Sequence, residues 1–287
     1  MHIFKKASDI KQFIHNLKAA GHSLGFVPTM GALHEGHLQL IRRAMSENDE
    51  VIVSIFVNPT QFDEASDFSH YPRSTAADIL LLESIRCPIL FLPGEEEIYP
   101  DEALRRRKFD FGYLEKTMEG AHRPGHFQGV AQVVSRLLDI IPADRLYLGQ
   151  KDYQQVKIIH RLVHDILNLP LEIVVCPTAR EVDGLAISSR NVRLSKEERQ
   201  AATALYKTLD WARKAGSRMT PEALKNQAVE MLMQVPEIRE IAYFEIVNAD
   251  TLSPVSSWVD SSRIIACLAV RIGEVRLIDN MFLKGIH

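Results

Sequence analysis

The chain has little cysteine, no marked excess of charge of either sign and no long apolar run, and each shortage removes a class of function. Its three cysteines, Cys87, Cys176 and Cys267, lie far apart in 287 residues and show no metal-ligand spacing, which argues against a disulfide scaffold or a zinc cluster. Two of them sit inside apolar, strand-like runs, so buried thiols in a reducing, cytoplasmic compartment are expected. A net charge of −3, from 34 basic and 37 acidic residues, offers no basic field for nucleic acid. The densest basic run, Arg105-Arg106-Arg107-Lys108, reads as a solvated helix face. No stretch approaches the ~20 apolar residues of a membrane span. The segment Met1-His2-Ile3-Phe4-Lys5-Lys6 lacks the apolar centre of a secretory signal. Internal repeats and low-complexity tracts are also missing.

What is present is an ordinary globular balance, 46% hydrophobic and 25% charged, enough for a sizeable core. Apolar runs alternate with amphipathic stretches. Residues 23–28 read as a first strand stopped by Pro28, 36–46 as a helix, and the β-branched run 51–57 as a strand buried on both faces. Helices over 75–84, 127–140 and 156–167 then alternate with strands over 89–93, 145–149 and 171–177. Such alternation predicts an α/β fold with a Rossmann-type parallel sheet flanked by helices. Beyond about residue 178 the texture changes. Two helices, 196–215 and 221–235, precede strand-like runs at 242–247, 264–270 and 275–278, the last two joined by a turn at Ile272-Gly273-Glu274. Two domains are therefore expected, 1–178 and a smaller C-terminal α+β domain over 179–287.

Ligands of parallel sheets gather beyond the carboxyl ends of the strands. After the first predicted strand stands Met30-Gly31-Ala32-Leu33-His34-Glu35-Gly36-His37. Gly31 and Gly36 let backbone approach a ligand, and a helix start near His34 offers N–H groups and a positive dipole end to phosphates. His34 and His37, three apart, share a face from which they can donate to phosphate oxygens. A zinc helix needs its histidines at i and i+4, and no third ligand is evident. The late segment Gly184-Leu185-Ala186-Ile187-Ser188-Ser189-Arg190-Asn191 reads as a loop that closes over a triphosphate, with Arg190 meeting the departing pyrophosphate. Asn58-Pro59-Thr60-Gln61-Phe62 and Gly149-Gln150-Lys151-Asp152-Tyr153-Gln154-Gln155 both follow predicted strands, and each presents a glutamine.

With Tyr71-Pro72-Arg73 and residues 123–128, these segments make the whole chain resemble the pantothenate synthetase (pantoate–β-alanine ligase) family. The resemblance implies that pantoate, β-alanine and ATP yield pantothenate, AMP and pyrophosphate through a pantoyl-adenylate, with Mg²⁺, in a homodimer. It implies a C-terminal lid domain, while the charge balance and the lack of a spanning run lead to no expected nucleic-acid or membrane partner. It places ATP on Met30, Gly31, Ala32, Leu33, His34, Glu35, Gly36, His37, Gly149, Gln150, Lys151, Asp152, Ala179, Ile187, Ser188, Ser189 and Arg190. His37 would be the proton donor, His34, Lys151 and Arg190 would act on phosphates, and Gln61 and Gln155 would bind pantoate. Members often have Glu where this chain has Gln150, and Val or Ile where it has Ala179. The family's acidic pair is Ala77-Asp78 here, leaving Asp78 as the expected magnesium ligand. Two competing readings are a related nucleotidyltransferase with another acceptor and a nucleotide-binding module without turnover. The glutamine segments weigh against the first, and intact His34, His37 and Lys151 against the second.

Overall fold

The computed structural model describes residues 1–62, 68–69 and 71–285, and the chain forms two compact units. The first comprises Met1–Glu115, Arg123–Gly149 and Gln155–Pro177; the second comprises Lys116–His122, Gln150–Gln154 and Thr178–His287.

The first unit is built on six parallel strands, β1 (His2–Phe4), β2 (Leu24–Thr29), β3 (Glu50–Ile55), β4 (Ile89–Phe91), β5 (Arg145–Gly149) and β6 (Glu172–Cys176), in the order β1-β4-β3-β2-β5-β6. Strand residues alternate between two faces, which explains the near-continuous apolar runs. Phe26, Ile52, Leu146 and Leu148 pack on one side with Ile10 and Ile14 of α1 (Ala7–Ala19). Val27, Val53, Ile55 and Tyr147 pack on the other with Leu38 and Ile41 of α2 (Glu35–Glu47) and Leu82 of α3 (Thr75–Ser84). Full burial of each such aliphatic side chain contributes roughly 1.5–3 kcal/mol. On the first face, α4 (His126–Ile140) adds Val130, Val134 and Leu137. From β2 the chain crosses through α2 to β3 on one side, whereas β5 lies on the other. The strand order thus reverses at β2 and β5, and beyond their carboxyl ends a crevice for ligands is expected.

The α/β architecture is as expected, with local differences. A short strand and α1 precede β2, so the run at residue 24 is the second strand. β2 does not stop at Pro28, which pairs with Ser54 of β3. Its pairing with β5 is confined to Gly25 and Phe26, so the proline lies where that edge of the strand has no partner. The expected helix over 156–167 is α5 (Tyr153–His160) followed by wide π turns over Arg161–Ile166. Only Arg105 of the basic run closes a helix, Glu102–Arg105; Arg106 pairs with Glu102 at 3.2 Å, and Arg107 lies over the Phe109 ring.

The second unit holds an antiparallel sheet of β7 (Ile238–Asn248), β8 (Ile264–Ile272) and β9 (Val275–Lys284), in that order. Ile272 pairs with Val275 around Gly273-Glu274, with Gly273 at φ +53°, so the expected hairpin closes through a two-residue loop. Against this sheet pack α6 (Thr203–Ala215) and α7 (Pro221–Met233), through Leu205, Leu209, Leu224 and Leu232. The helix expected over 196–215 is divided at Ala202, with Lys196–Ala201 as its first piece. All three cysteines are buried and unbridged. No helix among the described residues is long and apolar enough to cross a membrane.

Candidate active site

The segment after β2 is held from beneath. Thr29 donates through Oγ1 to the Ser54 carbonyl at 2.8 Å and accepts the Gly31 N–H at 3.2 Å. Gly31 and Ala32 both adopt positive φ, +78° and +48°, and a Cβ on Gly31 would lie 2.9 Å from Asp78 Oδ2. Two left-handed residues in succession turn the backbone so that Ala32 and Leu33 donate to the two oxygens of Asp78, at 2.9 and 2.8 Å. Ser74 donates to the same carboxylate at 3.2 Å. Asp78 is 1% exposed. It braces the loop, and the magnesium role expected of Asp78 would have to share oxygens that already accept from three donors.

Helix α2 starts immediately afterwards, with His34 as N-cap. The His34 N–H donates to His37 Nδ1 at 3.3 Å, and the two rings stack with centroids 4.0 Å apart. Because Nδ1 accepts, the neutral His37 ring carries its proton on Nε2, as a donor. Glu35 is exposed and paired with Arg42, whereas Gly36 and Leu38 are buried.

Gln61 ends a single 3₁₀ turn, Pro59–Gln61, after β3. Its Oε1 accepts from Asn58 at 3.3 Å, and its Nε2 meets Met30 Sδ at 2.7 Å, which joins this turn to the first loop. Asn58, 1% exposed, also donates to the Gly129 carbonyl at 3.0 Å and accepts from Tyr99 at 2.9 Å. The Gln61 carbonyl receives His126 Nδ1 at 2.7 Å and Arg123 at 3.4 Å. Gly129 of α4 lies so close that a Cβ there would sit 2.2 Å from the Thr60 carbonyl oxygen. Sequence reasoning reads Asn58 as a strand stop and gives Tyr99 and Gly129 no role. A buried asparagine beside the glutamine, and a glycine inside a helix, are the available signals.

The segment after β5 divides between the units. Gly149 belongs to the first, and the turn Gln150–Asp152 to the second. Asn280 of β9 donates through Nδ2 to the carbonyls of both Gln150 and Lys151 at 2.9 Å. Lys151, 18% exposed in its side chain, meets Asp152 only at 3.8 Å. Gln154 is buried and holds the 116–122 segment, donating to the Thr117 carbonyl and accepting from the Glu119 N–H. Its neighbour Gln155 is half-buried.

Within the second unit the 179–191 segment forms a small hairpin. Ile187 donates to the Ala179 carbonyl at 2.9 Å, and Arg180 bridges Ala186. Arg180 grips the buried Asp279 with two bonds, 2.6 and 2.9 Å, and donates to the Gly184 carbonyl. Gly184 has φ +91° and packs where a Cβ would lie 2.1 Å from the Tyr206 ring. Ser188 accepts the Arg190 N–H at 3.3 Å, and Asn191 donates to the Ala186 carbonyl at 3.0 Å. Ser188, Ser189 and Arg190 are half-buried.

The structure therefore joins Met30 to Gln61 and His34 to His37 in the first unit, and Ala179 to Ile187 in the second. A cavity of about 700 Å³ in the second unit, lined by His122, Lys225, Tyr243 and Glu245 among others, contains none of the expected residues. Among the described residues no group of three or more His, Cys, Asp or Glu side chains is arranged to hold a metal ion.

The model of the pantoate-beta-alanine ligase family matches residues 2–282. A pantothenate synthetase of Porphyromonas gingivalis is 45% identical over 281 residues, covering 98% of this chain and 99% of its own. One from Bacteroides thetaiotaomicron is 45% identical over 286 residues, covering 100% of both. The crystal structure of pantothenate synthetase from Thermus thermophilus is similar with a TM-score of 0.91 at 43% identity, over 99% of this chain and 100% of that one. Pantoate-beta-alanine ligase from Francisella tularensis, complexed with beta-gamma ATP and beta-alanine, is similar with a TM-score of 0.81 at 40% identity, over 99% and 98%.

Proposed function

The chain belongs to the pantoate–β-alanine ligase family, and from that premise we propose that it joins pantoate to β-alanine using ATP. The match over residues 2–282 carries this reading.

A carboxylate is a poor acyl donor because its leaving group would be oxide. In the proposed route a pantoate carboxylate oxygen attacks the α-phosphorus of ATP, pyrophosphate leaves, and pantoyl-adenylate forms. The neutral amine of β-alanine then attacks the acyl carbon, AMP departs with the carboxylate oxygen, and the surplus amine proton passes to solvent. Little covalent work falls to the protein. Alignment and charge stabilisation dominate.

His34, His37, Lys151 and Arg190 are assigned to the phosphates, with His37 donating through Nε2; each such donor is typically worth about 2.7–4 kcal/mol of barrier. Gln61 and Gln155 are assigned to pantoate. A neutral amide can hold a carboxylate or hydroxyl without neutralising the nucleophile, as a bidentate arginine would. Residues 1–178 are assigned ATP and pantoate binding, and 179–287 the Ser188-Ser189-Arg190 loop. Among the described residues no group of three or more His, Cys, Asp or Glu is arranged to hold a metal ion, and the Asp78 carboxylate already accepts from Ala32, Leu33 and Ser74. Magnesium is proposed to enter as part of the nucleotide substrate, ligated by its phosphates. The reading also includes a homodimer in the cytoplasm.

Pantoate labelled with heavy oxygen in its carboxylate tests the route. Label in the AMP product, together with pyrophosphate release that requires pantoate, is the expected result. Unlabelled AMP would remove the acyl-adenylate.

A further inference from the structure

Asn280 is 2% exposed on β9, and its side chain makes three hydrogen bonds to two consecutive residues. Nδ2 donates to the Gln150 and Lys151 carbonyls, both at 2.9 Å, and Oδ1 accepts from Gln150 Nε2 at 3.2 Å. The Gln150 carbonyl belongs to the peptide plane before Lys151, and the Lys151 carbonyl to the plane after it. One amide therefore fixes both planes flanking the Lys151 Cα, and with them the direction in which its Cβ leaves the backbone. A single 3₁₀ turn has too few bonds of its own to do this. Asn280 is itself immobilised. Its N–H donates to Asp279 Oδ1 at 2.7 Å, its carbonyl accepts from Arg180 at 3.3 Å, and it pairs with Cys267 of β8.

We propose that Asn280 is a positioning residue for the ligation, orienting Lys151 toward the phosphates of ATP through the two peptide planes that flank it. The proposal rests on the assignment of Lys151 to those phosphates. Lysine is a point charge on a flexible stem, so the direction of its root determines how often the ammonium reaches its target. A misplacement of about 1 Å in a positioned group can lower turnover about 100-fold.

The test is a double-mutant cycle of Lys151→Ala and Asn280→Ala, with initial rates measured against ATP and β-alanine. Asn280→Ala is expected to lower kcat/KM for ATP by about 10–100-fold and leave the KM for β-alanine within about twofold. In the Lys151→Ala background the same change is expected to cost less than about twofold, because its target is gone. Additive losses, or a single variant with normal kcat/KM for ATP, would overturn the proposal. Lys151→Ala with wild-type kinetics would remove its premise, a failure visible in that variant alone. If Asn280→Ala does not fold, Asn280→Asp serves in the same cycle. It keeps size and the acceptor for Gln150 but sets a carboxylate against two carbonyls, and the same losses are expected.

Discussion

Leu33 donates its backbone N–H to the buried carboxylate of Asp78 at 2.8 Å, across 45 positions of sequence. The loop that carries the first set of proposed ATP residues is thus shaped by a side chain on α3.

Asp78→Ala removes an acceptor from Ala32, Leu33 and Ser74 at once. Hydrogen bonds to a charged group are worth about 1.5–3 kcal/mol each, and neighbouring losses overlap, so a stability loss of about 2–4 kcal/mol is expected in urea denaturation. The milder Asp78→Asn should have lower activity that added Mg²⁺ does not restore. Recovery with magnesium would return Asp78 to the role of a metal ligand.

His37→Ala should lower the rate of adenylate formation in single-turnover measurements by about 100–1,000-fold. His37→Gln, which places a neutral donor nearby, should lose less. Equal losses in the two variants would count against donation from Nε2.

Gly129→Ala forces a methyl group against the backbone of Thr60, which has no flexible end to swing aside. Overpacking of this kind costs about 1–3 kcal/mol. The turn carrying Gln61 must shift, so the pantoate KM should rise while that for ATP holds. A pantoate KM equal to the wild-type value would separate this turn from the acid.

Acid stability is set at the amino ends of the strands. The Arg43 hydrogen bond, joined by one from Tyr147, holds the Glu47 carboxyl below its ordinary value of 4.5. Hydrogen bonds from the Ser23 hydroxyl and backbone hold Asp49 below 3.8. At Asp144 burial acts upward but is outweighed by Lys18 and the Leu24 N–H, so its carboxyl is also lowered. A carboxylate depressed by folding contributes stability above its unfolded pKa and loses it as pH falls through the folded one. Tm should therefore hold near neutrality and fall progressively below about pH 4.5. In Tyr147→Phe, which lacks one donor to Glu47, the acid dependence arising from Glu47 should weaken. A Tm independent of pH between 3 and 5 would refute this account.

Burial raises the Cys87 thiol to about 11 and moves Cys176 and Cys267 upward as well. Thiols react as thiolates, so an alkylating reagent at pH 7.5 should leave the native protein unmodified and label all three cysteines in denaturant. Rapid native labelling would mark local opening, at β6 for Cys176, at β8 for Cys267 or at the connection before β4 for Cys87.

Much of the first unit was legible because its signals are local. The run 145–149 and the helical stretch 75–84 coincide with β5 and α3. The Ala7, Ile10 and Ile14 spacing of α1 was equally available, but β1 beside it is three residues at an exposed edge, where periodicity has no length to act. The supports of the candidate site were hidden for another reason. Asp78 beneath Leu33, Gly129 against Thr60 and Asn280 under Lys151 are pairs far apart in sequence, and no local pattern records such partners. Composition also misled at Pro28. A proline ends a strand only where its missing N–H would have had a partner.

The hairpin over 179–191 has one further consequence. Arg180 on Asp279, Gly184 against Tyr206 and Asn191 on the Ala186 carbonyl hold it in one shape. A slack phosphate loop must be ordered when its anion arrives, at about 1–2 kcal/mol per residue. Here the backbone around Ser188 is ordered beforehand, so the nucleotide capture proposed for this loop should carry a small conformational-entropy penalty and draw its selectivity from the shape already present.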